Sequence, residues 1–133
     1  MNRRNFIKSS VAVAATATVV GTGNVFASTS STSGIVYSAD DQGKWQGKNG
    51  SHAPQVHVNG SNVDVMTKHG MSAKHYIVRH TLVAADGKVL GSKTYAPTDK
   101  PATTFTLPAG YKGKLTATSF CNLHDLWITE TTV

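Results

Sequence analysis

Residues 55–66 read QVHVNGSNVDVM, two short runs that alternate apolar and polar positions on either side of Asn59-Gly60-Ser61-Asn62. Alternation with period two puts Val56 and Val58 on one face of a strand, and Val63 and Val65 on one face of the next. The Asn-Gly dipeptide between them is the strongest short-range signal for a tight hairpin. Downstream, HYIVRHTLV (75–83) is β-branched and aromatic and ends at Ala85-Asp86-Gly87-Lys88, a second turn. KVLGSKTYA, TTFTL and KLTATSF follow, punctuated by Pro97, Pro101, Pro108 and Gly110. Short strands with a turn roughly every ten residues predict an all-β chain, a sandwich or barrel, over residues 35–133. No stretch carries a helical period and no internal repeat is visible.

Upstream of the strands the chain changes character. MNRRNFIKSS carries Arg3-Arg4 followed by Phe6 and Lys8, and then a weakly apolar run from Val11 to Val20. That run is shorter than the roughly twenty residues a membrane span needs. Val25-Phe26-Ala27 has the small-residue pattern that precedes a signal cleavage site, so residues 1–27 read as a signal peptide. The paired arginines with Phe6 and Lys8 resemble the twin-arginine export signal, whose translocase, an expected partner, carries folded proteins to a periplasmic or otherwise exported location. Residues 28–34, STSSTSG, read as a flexible linker. Removing residues 1–27 leaves about 106 residues, enough for one small core. It also lowers the net charge of +6 by three, through Arg3, Arg4 and Lys8. The remaining positive charge is dispersed without interleaved aromatics, which argues against nucleic acid as a partner.

Cys121 is the only cysteine in the chain. An exported domain of this size ordinarily pairs its cysteines, and one thiol cannot pair internally. It is either a buried inert side chain or a metal ligand. The exported part has six histidines: His52, His57, His69, His75, His80 and His124. His69 and His75 bracket a Gly-Met-Ser-Ala-Lys turn, and Cys121-x-x-His124 has a spacing that can present a sulfur and a ring nitrogen to one ion.

HGMSAKHYI (69–77) followed by CNLHDLW (121–127) resembles the iron domain of superoxide reductases, the neelaredoxin and desulfoferrodoxin group, whose pattern is close to HPMxxEHYIxW and CNxHGLW. GKNGSHAP (47–54) is similar to that family's GEKHVP segment, so the resemblance runs from Trp45 to Trp127. It implies an immunoglobulin-like β-sandwich of about seven strands. It also implies one mononuclear non-haem iron, cycling between Fe2+ and Fe3+, held by His52, His69, His75 and His124 in a plane with Cys121 axial. Asn122 and Trp127 fall at positions that support the ligands, where backbone amides donate to the sulfur and an indole closes the pocket. The implied activity is one-electron reduction of superoxide to hydrogen peroxide, with superoxide as substrate and an external electron donor; homo-oligomerisation is left open. His57 and His80 match no ligand position and read as structural.

The chain departs from the family pattern in places. Gly50 and Ser51 stand where relatives often have a glutamate and a lysine; Lys48, on what reads as a mobile loop, is the candidate replacement for that catalytic lysine, with Lys74 its competitor. Arg79 replaces a tryptophan, and Asp125 replaces a glycine. Two other readings remain open on the residues alone. A blue-copper electron carrier would need a methionine soon after His124, and none follows to residue 133. A non-catalytic β-sandwich binding module would carry no stoichiometric metal.

Overall fold

The computed structural model describes residues 32–133; the signal peptide, and residues 28–31 of the linker, lie outside the described residues. Residues 32–35 form a turn in which the Ile35 amide donates to the Thr32 carbonyl at 2.9 Å, and the Tyr37 hydroxyl donates back to the Gly34 carbonyl at 2.8 Å. No helix among the described residues is long and apolar enough to cross a membrane.

Eight strands are present: β1 (Val36–Tyr37), β2 (Gln55–Asn59), β3 (Asn62–Met66), β4 (Ile77–Ala84), β5 (Val89–Thr94), β6 (Ala102–Thr106), β7 (Lys114–Cys121) and β8 (Asp125–Thr132). They form a five-stranded sheet ordered β1-β8-β7-β4-β5 and a three-stranded sheet ordered β2-β3-β6. The hairpin expected at residues 55–66 is β2–β3, closed by the pair Asn59 and Asn62. Gly60 there has φ +60°, a conformation glycine adopts without steric cost. Apart from the two-residue β1, the strand count is the seven expected. β8 was not anticipated as a separate strand, and β1 joins the sheet as its parallel edge against β8.

The core lies between the sheets. Val63 and Val65 of β3 and Phe105 of β6 meet Leu82 of β4 and Leu115 and Ala117 of β7, all buried. A Cβ at Gly91 on β5 would lie 2.5 Å from Phe105 Cδ1, so only glycine lets that strand cross the ring. A second buried cluster, Ile77, Tyr95 and Cys121 with Met71 against it, sits at the end of the sandwich where β4 begins and β7 ends. The connections at this end carry the chemistry. The segment between β1 and β2 contains a 3-10 turn (Gly43–Trp45) and one short helix, α1 (Asn49–His52). Four residues cannot display a helical period, which is why neither element was anticipated.

Candidate metal centre

Four elements deliver side chains to one point. His52 ends α1 and is 4% exposed. His69 and His75 lie on the segment joining β3 to β4, Cys121 is the last residue of β7, and His124 is in the turn before β8. The five sequence-predicted ligands are thus brought together, whereas His57 is exposed on β2 and His80 is buried in β4.

The geometry is close to a square of rings. Neighbouring ring centroids are 4.7 Å apart for His52 and His69, 4.4 Å for His69 and His75, 4.8 Å for His75 and His124, and 4.7 Å for His124 and His52. The opposite pair His52 and His75 is 5.9 Å apart. The facing nitrogens are closer: His52 Nε2 to His124 Nδ1, His124 Nδ1 to His75 Nε2, and His75 Nε2 to His69 Nε2 are each 3.0 Å. Half the diagonal of a square of that edge is about 2.1 Å, close to the usual length of a bond from a histidine nitrogen to a metal. Cys121 Sγ lies 3.8 Å from His69 Nε2 and 3.7 Å from His124 Nδ1. One ligand atom from each of His52, His69, His75 and Cys121 falls within 4.8 Å of the others.

Local hydrogen bonds orient the His52 ring for this purpose. His52 Nδ1 lies 2.7 Å from Ser51 Oγ, whose own proton goes to the Lys48 carbonyl at 3.2 Å, and 3.2 Å from that carbonyl, which can only accept. The Nδ1 proton is therefore placed on that side, and Nε2 turns a bare lone pair toward the other rings. Burial, then repulsion from His69 and His124, pushes the His52 pKa down to about 4. Burial also lowers His69, reinforced by His75, and lowers His124, reinforced by Lys48. Each shift favours the neutral imidazole, the form that ligates. Nitrogen lone pairs crowded at 3.0 Å beside a thiol fit a soft-to-borderline transition metal, so this donor set suits the mononuclear iron implied above.

The supporting residues act differently from expectation in one respect. The Asn122 amide does not serve the sulfur: it donates to the Tyr76 carbonyl at 3.2 Å. The Asn122 side chain accepts from the Tyr76 amide at 3.0 Å and donates to the Lys74 carbonyl at 3.0 Å, pinning both residues that flank His75. Trp127 is wholly buried and its indole donates to the His124 carbonyl at 2.9 Å, with its ring 5.9 Å from that of His52.

An open depression of about 490 Å³ lies beside the cluster, lined by His52, His69 and His75 with Lys48, Ser51, Lys68 and Met71 among its walls. Lys48 is there, on a segment that is hydrogen-bonded rather than loose: Gln42 Oε1 accepts from the amides of Gly47 and Asn49 at 2.9 and 3.3 Å. Lys74 does not line the depression. Lys68, which sequence reasoning passed over, does; its position beside His69 was the available signal.

Residues 43–130 match the desulfoferrodoxin family model, and residues 1–20 match the signal sequence of the twin-arginine translocation pathway, by which the chain is exported. A curated relative, a putative superoxide reductase of Archaeoglobus fulgidus, is 41% identical over 59 residues, which is 44% of this chain and only about half (47%) of that protein's length. Among solved structures, a superoxide reductase (neelaredoxin) from Ignicoccus hospitalis is 28% identical with a TM-score of 0.61, covering 74% of this chain and 93% of its own. A superoxide reductase from Giardia intestinalis is 25% identical with a TM-score of 0.56, covering 62% and 98%.

Proposed function

The chain belongs to the desulfoferrodoxin family, and from that membership we propose that it is an exported superoxide reductase whose iron is held by His52, His69, His75, His124 and Cys121. The observation that carries this reading is the convergence of three histidine Nε2 atoms and His124 Nδ1 at 3.0 Å spacings, with one sulfur beside them.

Ferrous iron, when bound, supplies the single electron that superoxide needs to become peroxide. The protein's own residues do the rest. His52, kept neutral by burial and by repulsion from the neighbouring rings and oriented by its Lys48 contact, would hold the metal together with the three other imidazoles, each ligating in the form that adds no charge. The Cys121 thiolate adds negative charge from the protein side. The depression rimmed by Lys48 and Lys68 admits a small anion and raises its local concentration. One superoxide, one electron and two protons give one hydrogen peroxide, and an external donor returns one electron per turnover.

Metal analysis with a visible spectrum of the air-oxidised protein tests the reading. One iron per chain and a thiolate-to-iron(III) charge-transfer band in the red are expected. Stoichiometric copper with an intense blue-copper band, or no metal, would overturn it.

The steering role divides between two lysines. Lys48→Ala is expected to lower the second-order rate with superoxide about three- to tenfold at low salt and to flatten its ionic-strength dependence, with the spectrum unchanged. Lys68→Ala, measured beside it by pulse radiolysis, shows how much of the field comes from the second lysine lining the depression. If neither variant changes the rate, electrostatic steering at this opening is refuted.

A further inference from the structure

Asp125 is the only residue other than glycine with a positive φ among the described residues, at 65°. It pairs with Cys121 across the three-residue turn Asn122-Leu123-His124 and is the first residue after that turn, at a positive φ that ordinarily favours glycine. A carboxylate stands there instead, and it is engaged. Asp125 Oδ2 accepts from Trp45 Nε1 at 3.0 Å and lies 3.5 Å from Lys44 Nζ.

We propose that Asp125 is a positioning residue that latches the 42–52 segment onto the metal cluster by holding Trp45 against His124. Trp45 meets the His124 ring edge-on at 4.7 Å. From Trp45 the hydrogen bonds run inward. The Lys48 amide donates to the Trp45 carbonyl at 3.0 Å, and the Lys48 carbonyl lies 3.2 Å from His52 Nδ1. One carboxylate, one residue beyond His124, thus ties together two of the ligands and Lys48. The root of the segment packs closely, because a Cβ at Gly43 would lie 2.8 Å from Tyr37 Cε1; the latch adds a second anchor at Trp45, from which the chain runs on to Lys48 and His52. The hydrogen bond carries the latch. The ion pair is 63% exposed on the lysine side and contributes little in water. The function assigned to the latch rests on the metal reading above, while the latch itself is observable without it.

The test uses Asp125→Gly and Asp125→Asn in the full exported chain as purified. Trp127 is fully buried, so acrylamide-accessible fluorescence reports Trp45. In Asp125→Gly the quenching constant is expected to rise at least about twofold, and metal is expected to pass to a chelator on the order of tenfold faster, the factor corresponding to one hydrogen bond to a charged group. Glycine suits the backbone here, so this variant unfolds at no lower denaturant concentration than the parent. Asp125→Asn keeps an acceptor for the indole N–H and is expected to restore both readouts to within about twofold of the parent. Parental quenching in the glycine variant, failure of asparagine to rescue, or a loss of global stability in the glycine variant each overturns the proposal. Absence of metal in the parent overturns the metal reading, and the fluorescence comparison still decides the latch.

Discussion

Replacing Cys121 with serine is expected to leave the fold in place, abolish the red absorption of the oxidised protein and lower superoxide reduction by at least about a hundredfold. The fold survives because the backbone at 121 is held on both sides, paired with Ile77 of β4 and with Asp125 of β8, and serine keeps a small polar side chain in the same place. Cys121 is 1% exposed and its sulfur lies 3.7–3.8 Å from the nitrogens of His124 and His69. A hydroxyl at that position stays protonated near neutral pH, whereas a thiol gives up its proton to a metal and then donates charge to it. Charge donated by the Cys121 thiolate is what would tune a bound metal to act as a one-electron reductant. An imidazole ligates in its neutral form and cannot replace it. Stopped-flow rates and the visible spectrum, on protein verified for iron content, check the expectation; turnover at the parental rate would rule out a role for the thiolate.

Where local chemistry determined structure, the sequence was readable. Asn59-Gly60 and Asp86-Gly87 dictate turns irrespective of their surroundings, and the spacing of His69, His75, Cys121 and His124 is carried by two short contiguous motifs. What escaped depends on long-range geometry. Trp45 and Asp125 are 80 residues apart, and nothing local links an indole to a carboxylate at that distance. Lys68 matters only because the segment after β3 turns it toward the depression. His80 is a subtler case. Strict alternation from Ile77 would send it outward, but the register shifts between Ile77 and Arg79 against β7. Arg79 then faces solvent, where its guanidinium reaches Thr94 and Ser92 at 2.6 and 2.8 Å, and His80 turns into the core. A bulge of this kind adds one residue to one strand and reverses the parity beyond it.

That inward turn makes His80→Ala the substitution with the largest expected effect on stability. His80 is 0% exposed and joins a buried chain of polar groups: Tyr95 hydroxyl to Nδ1 at 2.9 Å, Nε2 to Thr67 Oγ1 at 2.7 Å, and Thr67 Oγ1 to Ser119 Oγ at 2.8 Å. Alanine leaves a cavity, strands the Tyr95 hydroxyl and leaves Thr67 with Ser119 alone, so at pH 7 a loss of about 3–5 kcal/mol is expected. Iron content of the folded protein is expected to be unchanged, because His80 lies outside the ligand cluster. The penalty has a pH signature. Burial pushes the His80 pKa from 6.5 down to about 4. The native state therefore refuses a proton that the unfolded chain accepts, and the stability His80 contributes is complete above pH 6.5 and lost as pH falls toward 4. Over that window the parent gives up on the order of 3 kcal/mol through this residue, a loss the alanine variant cannot suffer. Other titrating groups, His52 among them, are shared and cancel in the comparison. Urea unfolding of metal-free parent and variant at pH 7 and pH 4.5 should show the gap between them narrowing by half or more; a gap independent of pH would mean that His80 carries its proton in the folded protein.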